Sequence, residues 1–152
     1  MGADALRIDA GALTVFLAEV FHAAGCSQAE GMRIAENLVG ANLSGHDSHG
    51  VIRTPRYLGW LKTGNLVADR DVTTVSDTGA LMILDGQFGF GQTVGPQAVA
   101  RGIERAKELG VAVVALRHAG HLGRIGAFAE TAAAENQVSV HFVNVAGSVL
   151  VA

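Results

Sequence analysis

The hexapeptide Val111-Ala112-Val113-Val114-Ala115-Leu116 decides the reading of the fold. It is an unbroken apolar run, too short for a helix and rich in β-branched residues, so it reads as a buried strand. Before it, Gln92 to Leu109 carries Val94, Ala98, Ile103 and Ala106 at helical spacing and stops at Gly110. After it, Gly123 to Glu135 reads as an alanine-rich helix, and Val138 to Val145 as the next strand. Upstream, Val72 to Val75 and Ala80 to Leu84 read as the arms of a hairpin around the turn Ser76-Asp77-Thr78-Gly79. Strand, helix, strand, helix, strand implies two crossover units and a mixed, partly parallel sheet with covering helices.

The first 66 residues have a different texture. Asp9 is placed to cap a helix with Leu13, Phe16, Leu17, Val20 and Ala24 on its apolar face and Gly25 as its stop. Ser27-Gln28-Ala29-Glu30 has the capping-box pattern, in which hydroxyl and carboxylate each satisfy a free N–H at the start of a second helix. That helix turns Ile34, Leu38 and Val39 inward and ends before Gly45. A third helix is expected from about Ser48 to Lys62, with Pro55 in its first turn and Thr63-Gly64-Asn65 closing it. The class is therefore α/β: a helical N-terminal arm, residues 1–66, followed by residues 67–152 as the first part of an α/β domain. The chain stops soon after a strand-like run, at Val149-Leu150-Val151-Ala152, without a polar tail, so it reads as the front portion of a longer protein.

Composition narrows the classes of function. With 49% hydrophobic and 16% charged residues, the 152-residue chain is suited to a packed body and not to disorder. A net charge of -3, no basic block, one Trp and one Tyr argue against a nucleic-acid partner. No apolar segment reaches the roughly 20 residues that a membrane-spanning helix needs, and no leader-like stretch opens the chain, which points to no membrane and a cytoplasmic location. The lone Cys26 excludes an internal disulfide and reads as a small buried hydrophobe in a reducing compartment.

Chemistry concentrates in Gly45-His46-Asp47-Ser48-His49-Gly50-Val51-Ile52-Arg53-Thr54-Pro55-Arg56-Tyr57. On a helix, His49, Arg53 and Tyr57 would follow one another a turn apart on one face, offering a proton donor, an anion clamp and a hydroxyl. That set suits a small substrate with a carboxylate and a reducible carbonyl. A second constellation, Arg117-His118-Ala119-Gly120-His121-Leu122-Gly123-Arg124, sits at the carboxyl end of the deciding strand, where ligands of open α/β sheets bind. Glycines 120 and 123 would let backbone approach a ligand, and N–H groups opening the next helix would attract a phosphate or carboxylate.

Other assignments compete for the same residues. Gly89-Phe90-Gly91-Gln92-Thr93-Val94-Gly95 opens a helix after a strand, but its third glycine is one position late and the next strand ends in Leu116-Arg117 without the acidic residue a ribose would need. These glycines read better as tight turns beside the hairpin than as a Rossmann loop. His46, His49, His118 and His121 could be metal ligands of a hydrolase or lyase, although no diagnostic spacing is present. A non-catalytic assembly fragment is the third class. His22 and His141 read as packing histidines, and Arg56 and Lys62 as a solvated helix face.

The segment Gly45 to Val51 with Arg53 and Tyr57, followed some seventy residues on by Gly120-His121-Leu122-Gly123-Arg124, resembles the type-2 malate/L-lactate dehydrogenase family. These are non-Rossmann NAD(P)-dependent reductases, among them ureidoglycolate dehydrogenase, diketogulonate reductase and cyclic imino-acid reductases. The resemblance implies a helical arm, a cofactor-binding sheet of unusual topology, NAD or NADP as cofactor, a 2-oxo or 2-hydroxy acid as substrate, and a homodimer with sites near the subunit interface. It also implies roles. Ser48 and His49 match a proton-relay segment, Arg53 and Tyr57 match substrate contacts, and His121 matches an acid/base histidine. The stretch His121, Leu122, Gly123, Arg124 and Ile125 matches a cofactor-contacting loop. Family proteins are about twice this length, in keeping with the truncation read above.

Overall fold

The structure, a computed structural model, describes residues 7–144. The chain opens with α1 (Ala10–Ala23) and α2 (Gln28–Leu43), packed side by side. Asp9 accepts from the Ala12 N–H at 2.8 Å and caps α1, as its position predicts. The buried stripe of α1 is Leu17, Ala18 and Phe21, while Phe16, expected inward, is 60% exposed. The helix turns Phe21 toward the Tyr57 and Phe90 rings, and that rotation carries Phe16 to the outside.

Half of the expected capping box forms at α2. The Glu30 N–H donates to Ser27 Oγ at 3.2 Å, but the Glu30 carboxylate does not return to Ser27. It is fully buried, accepts from Thr93 Oγ1 at 2.8 Å and from the Asp69 N–H, and so ties α2 to two distant segments. Asp69 takes its place on Ser27, accepting from both the backbone N–H and the hydroxyl. Cys26 is buried beside this group, and burial pushes its thiol up to about 12.

The third helix starts later than its pattern implies. Two 3-10 turns, Asp47–His49 and Val51–Arg53, precede α3 (Thr54–Thr63), whose first turn holds Pro55. Proline's missing N–H is harmless at that position only, so the α-helix begins there and the chain before it coils more tightly. Gly64, in the left-handed conformation at φ 75°, stops α3 where expected.

Strands β1 (Thr73–Thr78) and β2 (Leu81–Gly89) form the hairpin, each longer than the sequence indicates, with Gly79-Ala80 as its turn. Helix α4 (Gly91–Leu109) crosses over to β3 (Val113–Ala119), which pairs parallel to β2. The sheet order is β1-β2-β3, antiparallel on one side and parallel on the other, so the mixed α/β architecture is as expected, and among the described residues there is no doubly wound Rossmann order. Val72, Leu84, Val94 and Ala98 form the core between sheet and α4.

Three expectations need correction. The strand Val111 to Leu116 begins at Val113, and it is not buried on both faces: Val111 and Val113 are more than half exposed. Helix α4 covers one face of the sheet, while the side chains of the other face lie open among the described residues. The last helix, α5 (Gly126–Ala134), starts three residues late because Gly123, at φ 73°, cannot be helical. Residues 138–144 form no strand, since they pair with no other described segment and an extended segment without a partner is not a sheet element; among the described residues one crossover unit is present in place of two. Val145, the end of the chain and the truncation read from it lie outside the described residues.

Candidate active site

The polar segment after α2 is shaped by Asn42. Its Nδ2 donates to Asp47 Oδ1 at 2.6 Å, and its Oδ1 accepts from the Val51 N–H at 2.8 Å, clamping the first 3-10 turn between two bonds. A Cβ at Gly50 would lie 2.1 Å from Asn42 Oδ1, so the residue after His49 must be glycine for the clamp to close. Ser48 Oγ sits 2.9 Å from His49 Nδ1, and the His46 ring meets His49 edge-on at 4.3 Å. Arg53 Nε donates to the Ser48 carbonyl, holding the guanidinium against the turn.

The second constellation arrives from the far side of the sheet. The His121 ring lies 4.9 Å from that of His49, and its Nδ1 is 2.7 Å from the Tyr57 hydroxyl. Tyr57 is buried among Phe21, Phe90 and Trp60, and Gln92 Nε2 donates to its hydroxyl at 3.0 Å. Gln92 also reaches Asn37 Oδ1 at 3.4 Å. Thus Ser48, His49, Arg53, Tyr57 and His121, separated by up to 73 positions in the chain, form one cluster. No single helix face holds them: the 3-10 turns carry His49 and Arg53, α3 carries Tyr57, and His121 comes from the loop after β3.

Electrostatics in the cluster favour an anion. Burial, then the Arg53 charge, then His49 hold His121 down at about 4. Burial, His46 and Arg53 likewise depress His49, and burial pushes the Tyr57 phenol up to about 12. Both imidazoles and the phenol are therefore uncharged near neutral pH. The Arg53 guanidinium pairs with no carboxylate among the described residues; its one bond is to a backbone carbonyl. A half-buried cation beside neutral groups attracts a small carboxylate.

The glycines of the second constellation serve a different purpose from the one their sequence suggests. A Cβ at Gly120 would lie 2.5 Å from Leu66 Cδ2, and one at Gly123 would lie 2.3 Å from Asn37 Oδ1. These spaces are filled by protein, so the absence of a side chain lets the loop pack on its neighbours. Gly91 and Gly95 in the glycine-rich stretch follow the same logic and are not turns: added carbons would meet the His121 carbonyl at 2.3 Å and the Phe128 ring at 2.6 Å.

Leu122 and Ile125 line the loop half-buried, and Arg124 makes a bidentate pair with Glu130 at 2.7 Å. Arg33, Asn37, Gln92 and Arg124 border a groove of about 310 Å³ beside this loop. His118 leaves the cluster, bonding Asp85 Oδ2 at 2.9 Å and stacking on Phe88, so the four histidines do not converge. Among the described residues no group of three His, Cys, Asp or Glu side chains is placed to hold a metal ion. His22 bonds the Cys26 carbonyl and His141 bonds Ser139 Oγ, but His22, expected to pack, lies exposed at the end of α1.

Three groups were not found by sequence reasoning: Asn37, Gln92 as a partner of Tyr57, and the backbone N–H of Gly123, which points at His121 Nδ1 from 3.3 Å. Asn37 and Gln92 sit in ordinary helical periods, where nothing marks an amide side chain as anything but polar.

A family model described as malate/L-lactate dehydrogenase matches residues 8–152. The chain belongs to that family. Hydroxycarboxylate dehydrogenase B of Escherichia coli is 43% identical over 146 residues, which cover 96% of this chain and 40% of that protein. Among solved structures, malate dehydrogenase from Pyrococcus horikoshii superposes with a TM-score of 0.81 at 31% identity, covering 86% of this chain and 37% of that one. Sulfolactate dehydrogenase from Methanocaldococcus jannaschii gives 0.79 at 34% identity, covering 84% and 37%. The chain thus spans about two-fifths of the length of these malate/L-lactate dehydrogenase relatives. Among the described residues, no helix is long and apolar enough to cross a membrane.

Proposed function

We propose that the chain supplies the substrate-binding and proton-transfer half of an oxidoreductase that interconverts a small 2-hydroxy acid and its 2-oxo acid. The observation that carries this reading is the Arg53 guanidinium, without a carboxylate partner among the described residues, set against two neutral imidazoles and a phenol. The relatives named above, dehydrogenases of hydroxycarboxylate, malate and sulfolactate, support it.

In the reductive direction Arg53 holds the substrate carboxylate through its terminal nitrogens, which places the neighbouring carbonyl among the rings. A nicotinamide cofactor, NAD or NADP, bound beside the His121 loop would provide hydride chemistry at the carbonyl carbon. His49 gives the carbonyl oxygen its proton, with Ser48 Oγ orienting the ring through Nδ1. Tyr57 and His121 complete the pocket. Burial and the neighbouring His46 hold His49 down before the Arg53 charge does, and a bound carboxylate offsets the Arg53 share, which shifts His49 toward imidazolium.

One feature of this chain fits a nicotinamide: the buried carbonyl oxygen of Gln92, at the groove beside the His121 loop, has no donor, and a carboxamide N–H is what it lacks. His121, Leu122, Gly123, Arg124 and Ile125 would border that cofactor. A homodimer, a cytoplasmic location and a division between residues 66 and 67 accompany this reading as working assignments.

The test is kinetic, in the full-length protein. His49→Ala should lower 2-oxo acid turnover with NADH or NADPH by ~10²-fold or more. Turnover unchanged by that substitution would remove His49 from the reaction.

A further inference from the structure

The hydrogen bonds around His121 can be read in two directions. Imidazole Nδ1 either donates or accepts, a phenol does both, and a carboxamide offers a donor at one end and an acceptor at the other. In one network Gln92 Nε2 donates to Tyr57 Oη, and Tyr57 donates to His121 Nδ1. In the reverse network His121 Nδ1 donates to Tyr57 Oη, and Tyr57 donates to Gln92 Oε1. The second requires the Gln92 carboxamide to be turned over, which exchanges Nε2 and Oε1 at the 3.0 Å contact with Tyr57 Oη, while the 2.7 Å contact to His121 Nδ1 serves either direction.

One donor in this cluster cannot be reversed. The Gly123 backbone N–H, 3.3 Å from His121 Nδ1, carries its hydrogen in every state. In the reverse network it would oppose a second N–H. Its aim is also fixed, since Gly123 has φ 73° and any side chain there would strike Asn37.

We propose that the Gly123 amide sets the proton order of the site, with Tyr57 and Gln92 as positioning residues. His121 is held as the neutral Nε2–H tautomer and hydrogen-bonds the substrate's carbonyl oxygen, while the proton itself is exchanged at His49. The orphaned Gln92 Oε1 follows directly, because Nε2 is committed to Tyr57 and the other end of the amide faces no donor. His121 stays neutral because it is held at about 4, and the phenol keeps its hydrogen because it is pushed up to about 12. A neutral imidazole N–H is a pre-aimed donor for charge developing on a carbonyl oxygen. His121 Nε2, on the ring edge away from Nδ1, has no protein partner among the described residues.

The identity of the accepting oxygen rests on the function proposed above, whereas the tautomer does not. Long-range ¹H–¹⁵N correlation spectra of the full chain at neutral pH read both. His22 is the internal reference: its Nδ1 faces the Cys26 carbonyl at 2.9 Å, which only accepts, so it must appear as Nδ1–H. His121 is expected as the opposite tautomer, Nε2–H. In Gln92→Glu the Gly123 N–H still faces Nδ1, so His121 should remain Nε2–H, with His22 unchanged as Nδ1–H. An Nδ1-protonated His121 in the unaltered chain overturns the proposal, as does a Gln92→Glu variant in which the Nδ1–H population of His121 rises several-fold, since Gln92 and not the Gly123 amide would then set the order. If the tautomers are as expected but the full-length protein reduces no 2-oxo acid, the relay stands and the functional reading falls.

Discussion

Two apolar regions of similar composition meet opposite fates. Around Tyr57, side chains from α1, α2, α3, α4 and the His121 loop close over one another, and the phenol, imidazole and amides find partners inside. On the outer face of the sheet, Leu81 and Val113 lie 42% and 56% exposed, and Val138 and Phe142 beyond α5 are almost fully so. The difference lies in the number of elements that converge. Among the described residues, strand β3 has one covering helix and a strand on one side only, whereas Tyr57 has neighbours on every side. Substitutions in the two regions should therefore differ several-fold in consequence.

The largest effect is expected at the closed region. Tyr57→Ala removes a buried ring and leaves Gln92 Nε2 and His121 without their partner, so it should cost ~3–5 kcal/mol in denaturant unfolding. A loss below about 1 kcal/mol would mean that the cluster is not packed as described.

Gly91→Ala tests the same region through the backbone. The added carbon would meet the His121 carbonyl, so a loss of ~1–3 kcal/mol is expected, together with chemical-shift changes in the 120–125 loop. A neutral outcome would show the loop free to move away.

A smaller effect separates the regions by pH. His121 titrates near 6.5 when unfolded and is held at about 4 when folded, so the unfolded chain binds the extra proton between these values. Its contribution is intact above about pH 6.5 and declines as the pH falls toward 4. His121→Gln should flatten thermal stability across that window, and an unaltered slope would separate His121 from it.

The smallest effect belongs to the open face. Val113→Thr keeps the β-branched shape on a more than half-exposed side chain and should move stability by less than ~0.5 kcal/mol. A loss comparable to that of Gly91→Ala would show that this face is covered in solution.

How much of this was legible depends on the range of the signal. The caps at Asp9 and Gly64, the inward positions of α2 and α4, and the crossover between β2 and β3 are local or periodic, and they read correctly. Glu30 did not: its capping-box spacing is genuine, but a buried carboxylate is satisfied better by Thr93 and the Asp69 N–H than by a helix start already served by Asp69. The strand expected after α5 does not form over residues 138–144, because apolar alternation describes a side-chain pattern and does not itself supply the backbone pairing that makes a strand. In the candidate site, the reactive side chains were visible as a dense run and a second histidine loop. Their arrangement on one continuous helix was not correct, because Pro55 and the Asn42 clamp break the segment into 3-10 turns.

By itself, the sequence determined the α/β order of elements, the family likeness and the residue types of the site. These follow from spacing and composition, which any stretch of chain carries within itself. Only the tertiary structure decided that His49 and His121 meet across 72 positions and that the loop glycines make room for Asn37 and Leu66. It also decided that a single backbone N–H, at Gly123, orients the protons around His121. A hydrogen-bond direction depends on which donor cannot turn, and that is a property of packed neighbours that no one-dimensional pattern holds.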